Sequence, residues 1–377
     1  MSAVSNVSIP VPGKDFEDQR STKPQQWITR DEMIELSRIK HWRVIGHVAL
    51  TWGMIVLALQ LAIIAIDRLP LWAGLLAGAA AFIFIGCQQN ALISWTHEAS
   101  HYSLTRNKKL NDRLADLFIA GPAGATVAGY RQHHVLHHRY LGDPEKEIAL
   151  EVWLCLKGGY LWSAILRYML GINAFRVIFR YFGQNPPQGK PDGQPARSLE
   201  SLVGFAVTNS LLFALCALQG YWYLFFLLWV APLFTVALLV SNFRTIVEHQ
   251  PSSDVCDTGM VQLPNMTRVI KANVLEQWLI APIGFYYHHE HHLYPGIPAH
   301  RLHETRQLLK SRGYFERPDI VWGAGYIRTI WKLSREPEYG IRLLNPLAQF
   351  PHDDEDDDHH DHPQPEHGYD FEGDLKS

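Results

Sequence analysis

Residues 71–101 read LWAGLLAGAAAFIFIGCQQNALISWTHEASH. From Leu71 to Trp95 there is no charged side chain, and the run is long enough to cross the ~30 Å hydrocarbon core of a bilayer. His97 and His101 follow at once. On a helix a spacing of four sets both rings on one face, about 40° apart. An apolar span that delivers a histidine pair at its end is the first element of the fold.

Working outward, Asp67-Arg68-Leu69-Pro70 is a tight break, and Val44 to Ile66 before it is another uncharged run. Leu202 to Leu218 and Tyr221 to Val240 make two more, split by Gln219-Gly220. The expected fold class is all-α integral membrane, with transmembrane helices over 44–66, 71–95, 202–218 and 221–240 in two hairpins. Arg68 is the only basic residue between the first two spans, and none lies between the last two. By the positive-inside rule both termini and the segments 96–200 and beyond 240 are cytoplasmic, forming a helical cap. With 47% hydrophobic and 19% charged residues, global disorder is excluded. Four scattered cysteines without a Cys-x-x-Cys pair exclude a disulfide scaffold and suit a reducing compartment.

Three regions are expected. Residues 1–30 are polar, carry Pro10, Pro12 and Pro24, lack a signal-peptide core, and read as a flexible tail. Residues 31–350 form one domain, which opens on an amphipathic helix started by Thr29 and Asp31 and running through Met33, Ile34, Leu36 and Ile39. Residues 351–377 hold 11 acidic residues and one Lys and read as a disordered acidic, His-rich tail. Without that tail the body has 33 basic and 26 acidic residues, which suits an anionic membrane surface. Leu114–Tyr130, broken by Gly121-Pro122 and Gly124, and Val152–Phe182 are expected to lie along the membrane.

The 20 histidines are the compositional outlier. His97 and His101 form one cluster, His133-His134-Val-Leu-His137-His138 a second, His288-His289-Glu-His291-His292 a third, and His249 stands alone after Glu248. At 3.6 residues per turn, His134, His137 and His138 share a face, as do His288, His291 and His292. His133 and His289 point about 100° away and are expected to support or to be solvated. Nine imidazoles gathered at one membrane face are poor packing material, because each needs a partner for its ring nitrogens. Metal coordination satisfies them together. A catalytic zinc takes three protein ligands, so nine exceed one zinc and suffice for two ions with open positions. Neutral imidazole suits iron, and two irons held mainly by histidine fit best.

His97-Glu98-Ala-Ser-His101 also spells His-Glu-x-x-His, the zinc-protease pattern with Glu98 as general base. That reading leaves the other two clusters without purpose. Glu98, Asp143 and Glu290 are expected to orient imidazoles from behind. Gln88, Gln89, Asn90 and Trp95, late in the second span, are candidates for a substrate channel. Pro232 is expected to kink the fourth span.

His-x-x-x-His, then His-x-x-His-His twice, with four spans, resembles the membrane fatty acid desaturase and hydroxylase superfamily. The likeness extends to Arg131–Glu145, Arg244–His249, Asn273–Pro282 and His288–Pro298, and covers residues 30 to 335. The resemblance implies an O2-dependent di-iron oxidoreductase, with His97, His101, His134, His137, His138, His249, His288, His291 and His292 as ligands. It implies a fatty-acyl or other lipid substrate and a cis double bond as product. A hydroxylase or ketolase on the same scaffold is the alternative, and a metal-binding membrane protein without catalysis is a distant one. Acyl-CoA members carry an Asn, linked to one iron through water, where this chain has Thr245. With no His-Pro-Gly-Gly motif, electrons are expected from a separate ferredoxin- or cytochrome-b5-like protein. No nucleic-acid partner is expected. A bacterial inner membrane is the expected setting, or the endoplasmic reticulum in a eukaryote.

Overall fold

A computed structural model describes residues 27–141, 160–173, 198–249, 267–318 and 320–335. Asp143, Glu145, residues 183–197, most of 152–182 and both tails lie outside the described residues. A short capped helix, α1 (Arg30–Leu36), precedes two long ones, α2 (His41–Arg68) and α3 (Leu71–Ser100). Next come α4 (Lys108–Phe118), α5 (Val127–Tyr140) and α6 (Tyr160–Met169). Two further long helices are α7 (Leu199–Ala217) and α8 (Trp222–His249). The chain closes with α9 (Val274–Leu279), α10 (His288–Leu293), α11 (Leu302–Ser311) and α12 (Tyr326–Arg335). Two residues at Val269–Ile270 pair in parallel with Trp322–Gly323.

The four long helices are the four expected spans, each longer than its apolar run. In their most apolar windows only 22–44% of residues are buried within the protein. The remainder includes Ile45, Leu57, Leu61, Leu75, Leu76, Phe205 and Leu211, all exposed. Apolar faces left uncovered over spans of this length are surfaces for lipid, and the protein is an integral membrane protein. The inward stripe is a helical repeat: Ile55, Leu59, Ala62 and Ile63 pack with Ile85, Leu92, Leu212, Cys216, Leu224 and Leu228. A second core joins α1 to the C-terminal elements through Ile28, Leu36, Val269, Tyr287, Ile297, Leu302 and Tyr314.

Sequence detail sets the boundaries. Thr29 and Glu32 form a capping box on α1. Pro70 turns α2 into α3, which pack side by side. In α8, Pro232 is flanked by two π-helical stretches, Phe226–Val230 and Leu233–Ala237. The expected disturbance thus takes the form of widened turns on either side of a residue with no N–H to donate.

α7 crosses α4 at Gly204. A Cβ there would sit 2.4 Å from the Leu117 carbonyl oxygen and 2.6 Å from that of Asp116. Both are backbone atoms and cannot yield as a side-chain end would. Gly204→Ala should therefore lower stability by about 1–3 kcal/mol. Thermal unfolding in detergent checks this: an unchanged transition would mean that the crossing adjusts freely.

Candidate metal centre

The end of α3 is built to hold its histidines. Thr96 donates to Leu92 O at 3.0 Å and Ser100 to His97 O at 2.6 Å, carrying the helix past the apolar run. His101 is the C-cap. Its terminal carbonyls need donors from elsewhere. Asn111 Nδ2 serves Ala99 O at 2.8 Å, and Arg131 Nε serves Ser100 O at 2.9 Å. Arg131 is fixed in turn by both oxygens of Asp112. These contacts seat α5 against α3 and bring the second histidine cluster to the first. Thr126 caps α5, and Asp116 Oδ1 accepts from the Val127 N–H at 2.7 Å.

The third cluster is aimed by strained backbone. Ile283 has φ 56° and Gly284 φ 87°, within the turn Pro282–Tyr287 that enters α10. Tyr102, directly after His101, also has φ 56°. For a β-branched or bulky residue this region costs about 1–3 kcal/mol, and such residues gather at functional sites. Asn90 Nδ2 donates to Ile280 O at 2.9 Å, tying α3 to this turn.

All nine histidines expected as ligands converge. They fall into two groups whose candidate donor atoms lie within 4.8 Å of one another: His97, His101, His134, His138 and His291; and His137, His249, His288 and His292. In the first, Nε2 atoms are 2.8 Å apart for His101–His134, 2.9 Å for His134–His138 and 3.1 Å for His138–His291. In the second, His249 Nε2 lies 2.9 Å from those of His137 and His288 and 3.0 Å from that of His292. His288 and His292 are themselves 3.0 Å apart.

Hydrogen bonding among the rings cannot satisfy this arrangement. His249, His288 and His292 form a triangle of Nε2 atoms, and each Nε2 offers either a proton or a lone pair. Three mutual contacts cannot alternate donor with acceptor, so like must face like. The Nε2 of His97 is buried and has no hydrogen-bond partner at all. A cation between the rings removes both defects. Two nitrogens bound cis at ~2.1 Å from one ion sit ~3.0 Å apart, against ~3.4 Å around a tetrahedron. The shortest observed spacings are near the former, so neighbouring rings are placed to share one ion.

Burial also sets protonation. It pushes the His101 imidazole down to about 3, helped by the charge of Arg131. It likewise holds His134, His138, His288, His291 and His292 well below the usual histidine range, helped by neighbouring rings. These rings are neutral at pH 7, the form that binds metal.

The expected supporting residues are placed variously. Glu98 Oε1 is 3.3 Å from His97 Nδ1, while Oε2 accepts from the Ala299 N–H at 2.8 Å. As His97 and His101 share their group with three further imidazoles, the zinc-protease pattern does not stand alone. Glu290 does not orient an imidazole with its carboxylate, which is taken by Arg306 through Nε and Nη2. His289 turns away from both groups, between the hydroxyls of Thr267 at 2.8 Å and Tyr314 at 3.0 Å. His133 is exposed.

A cavity of about 80 Å³ runs between α3, α8 and the turn after α4, lined by Gln89, Leu92, Thr96, Ala123, Tyr130 and Trp229 among others. The ring of Tyr130 is 5.6 Å from that of His134, so one wall of the cavity adjoins the first histidine group. Of the four channel candidates only Gln89 lines it, and Gln89 Nε2 donates to Trp229 O at 2.6 Å, beside Pro232. Gln88 and Asn90 are buried off it, and Trp95 packs against Val44, Ala99 and Leu104. Polar residues late in a span serve helix-to-helix hydrogen bonds as readily as a channel. Sequence reasoning missed Tyr130, Arg131 and Phe285. Phe285 stacks on His288 with centroids 5.3 Å apart and carries Arg244 on its other contacts, Cζ 3.8 Å from the ring centre. No short-range pattern marks them, because their partners are distant in sequence.

Four apolar spans and a buried many-histidine cage at the end of α3 define an integral membrane metalloprotein. Residues 70–322 match the family model described as fatty acid desaturase. The chain is 30% identical over 258 residues to a dihydrorhizobitoxine desaturase of Bradyrhizobium elkanii, covering 66% of this chain and 72% of that protein. It is 24% identical over 296 residues to the human sphingolipid delta(4)-desaturase/C4-monooxygenase, covering 77% and 82%. It is 27% identical over 232 residues to a fatty acid desaturase of Bacillus subtilis, covering 57% and 64%. The protein belongs to the fatty acid desaturase family. It is an oxidoreductase of a family whose known type is di-iron.

Proposed function

We propose that the protein is an O2-dependent desaturase of a fatty-acyl lipid, forming a cis double bond, with one iron in each histidine group. The convergence of nine imidazoles into two adjoining groups beside an apolar cavity carries this reading. The pair of irons supplies the oxidising chemistry when bound. The protein's own part is to hold, place and exclude. His97, His101, His134, His138 and His291 hold one ion, and His137, His249, His288 and His292 the other. α5 and α10 each feed both groups, which fixes the distance between the ions. Glu98 fixes the backbone at Ala299 and stands by His97. The cavity walls hold methylenes beside Tyr130 and keep water from the reacting carbon.

In this reading the spans form two hairpins, the histidine groups lie at their cytoplasmic ends under a helical cap, and the membrane is a bacterial inner membrane. The charge asymmetry around Arg68 supports that orientation. A separate ferredoxin- or cytochrome-b5-like protein delivers the electrons. Hydroxylation is the second reading, favoured by a relative whose name joins desaturase with monooxygenase. Lipid mass spectrometry of a host with and without the protein decides: desaturation removes two hydrogens, whereas hydroxylation adds one oxygen. An unchanged lipid profile, with bound metal but no O2 uptake, would leave a metal-binding protein without catalysis.

A further inference from the structure

Glu248 precedes His249 on α8, is 1% exposed, and stands outside the nine-histidine set. Its two oxygens differ in what they meet. Oε1 accepts from the Tyr326 hydroxyl at 2.8 Å and lies 3.5 Å from Arg244 Nε. Oε2 lies 3.8 Å from Nε2 of His288. That nitrogen faces inward, 2.9 Å from His249 Nε2 and 3.0 Å from His292 Nε2. A carboxylate that only orients a ligand imidazole bonds the ring's outer nitrogen. The outer nitrogen of His288, Nδ1, is buried with no hydrogen-bond partner. Glu248 therefore stands beside the space the four rings enclose, and not behind a ring. Two donors bound to one ion at ~2.1 Å are ~3.0 Å apart when cis and ~4.2 Å when trans. The separation from His288 falls between these limits; toward the rest of the group the carboxylate must swing inward, since it lies outside the donors that are within 4.8 Å of one another.

The donor count agrees. The first group has five imidazoles and the second four. Thr245, one turn before His249, brings no donor, since its hydroxyl is given to Ser241 O at 3.0 Å. Charge agrees as well. Arg244 and Arg268 are both buried nearby, at 4% and 2% exposure, with Arg268 Nη1 on Val247 O at 2.7 Å. A divalent ion among imidazole rings and two guanidinium groups needs an anion at close range.

We infer that Glu248 supplies an anionic oxygen ligand to the metal held by His137, His249, His288 and His292. One centre then has five nitrogens, and the other has four nitrogens and a carboxylate. The inference rests on the two-iron reading above.

The test loads full-length wild type, Glu248→Gln, Glu248→Asp and Tyr326→Phe in detergent with ferrous iron alone under anaerobic conditions. Iron per chain after a chelating column and the Mössbauer spectrum are the readouts. Wild type should hold two irons as two distinct doublets. Glu248→Gln should keep the five-nitrogen doublet and bind the second iron ~10–100-fold more weakly. Glu248→Asp keeps the charge with a shorter reach, so it should alter the second doublet alone; this arm decides if the Gln variant does not fold. Tyr326→Phe should keep both irons, because Oε2 is untouched. If both Glu248 variants keep two irons with unaltered doublets, the carboxylate is only a counter-charge for Arg244 and the inference is overturned. If wild type holds no iron, the two-iron reading falls and takes the inference with it.

Discussion

His291→Ala should leave the protein folded, remove the iron of the first group, and lower product formation by more than ~100-fold. His291 comes from α10, whose other two ligand candidates, His288 and His292, serve the second group. The variant therefore separates the two sites while keeping the helix. His292→Ala should do the reverse, sparing the first group and emptying the second. The cost is asymmetric with stability. Losing one ring relieves crowding among buried nitrogens, yet it opens a ligand position to water. Iron analysis with O2-dependent turnover is the measurement. Full turnover in either variant would refute the assignment of ligands.

Ala123→Phe should lower turnover of a long acyl chain by ~10–100-fold while iron stays at the wild-type level. Ala123 lies in the turn between Gly121 and Gly124 and, with Tyr130, lines the cavity. The turn is held by Asn209 Nδ2, which donates to Pro122 O at 3.1 Å, and Asn209 Oδ1 accepts from Trp229 Nε1 at 2.8 Å. A ring at position 123, a half-buried site on the cavity wall, fills space that methylenes need. A shorter substrate should lose less than a longer one. Equal turnover of both, with iron unchanged, would show that the substrate reaches the centre by another route.

Much of this protein is legible in the order of its residues. Uncharged runs long enough to span a bilayer mark the four long helices, and the break at Asp67–Pro70 marks the first turn, because hydrocarbon tolerates neither charge nor unpaired backbone. The helices outrun those runs. α3 continues to Ser100 on the hydroxyl bonds of Thr96 and Ser100, and α8 continues to His249. The apolar run of each therefore stops short of the helix that carries it. Off the cavity, Asn90 bonds Ile280 O, Trp95 sits in an apolar cluster, and Gln88 is buried.

The sequence by itself determined which histidines come together, since a spacing of three or four on a helix leaves few ways for the rings to point. It also set apart His133 and His289 by the same rotation. Only the tertiary structure decided how the nine divide. His134 and His138 join one group and His137 the other, whereas His288 and His292 join the second and His291 the first. A helix fixes which residues share a face, but not which neighbour that face meets. That depends on Arg131 and Asn111 seating α5 on the end of α3, and on Ile283 and Gly284 turning the chain into α10. These contacts join residues far apart in the chain, where local spacing carries no information.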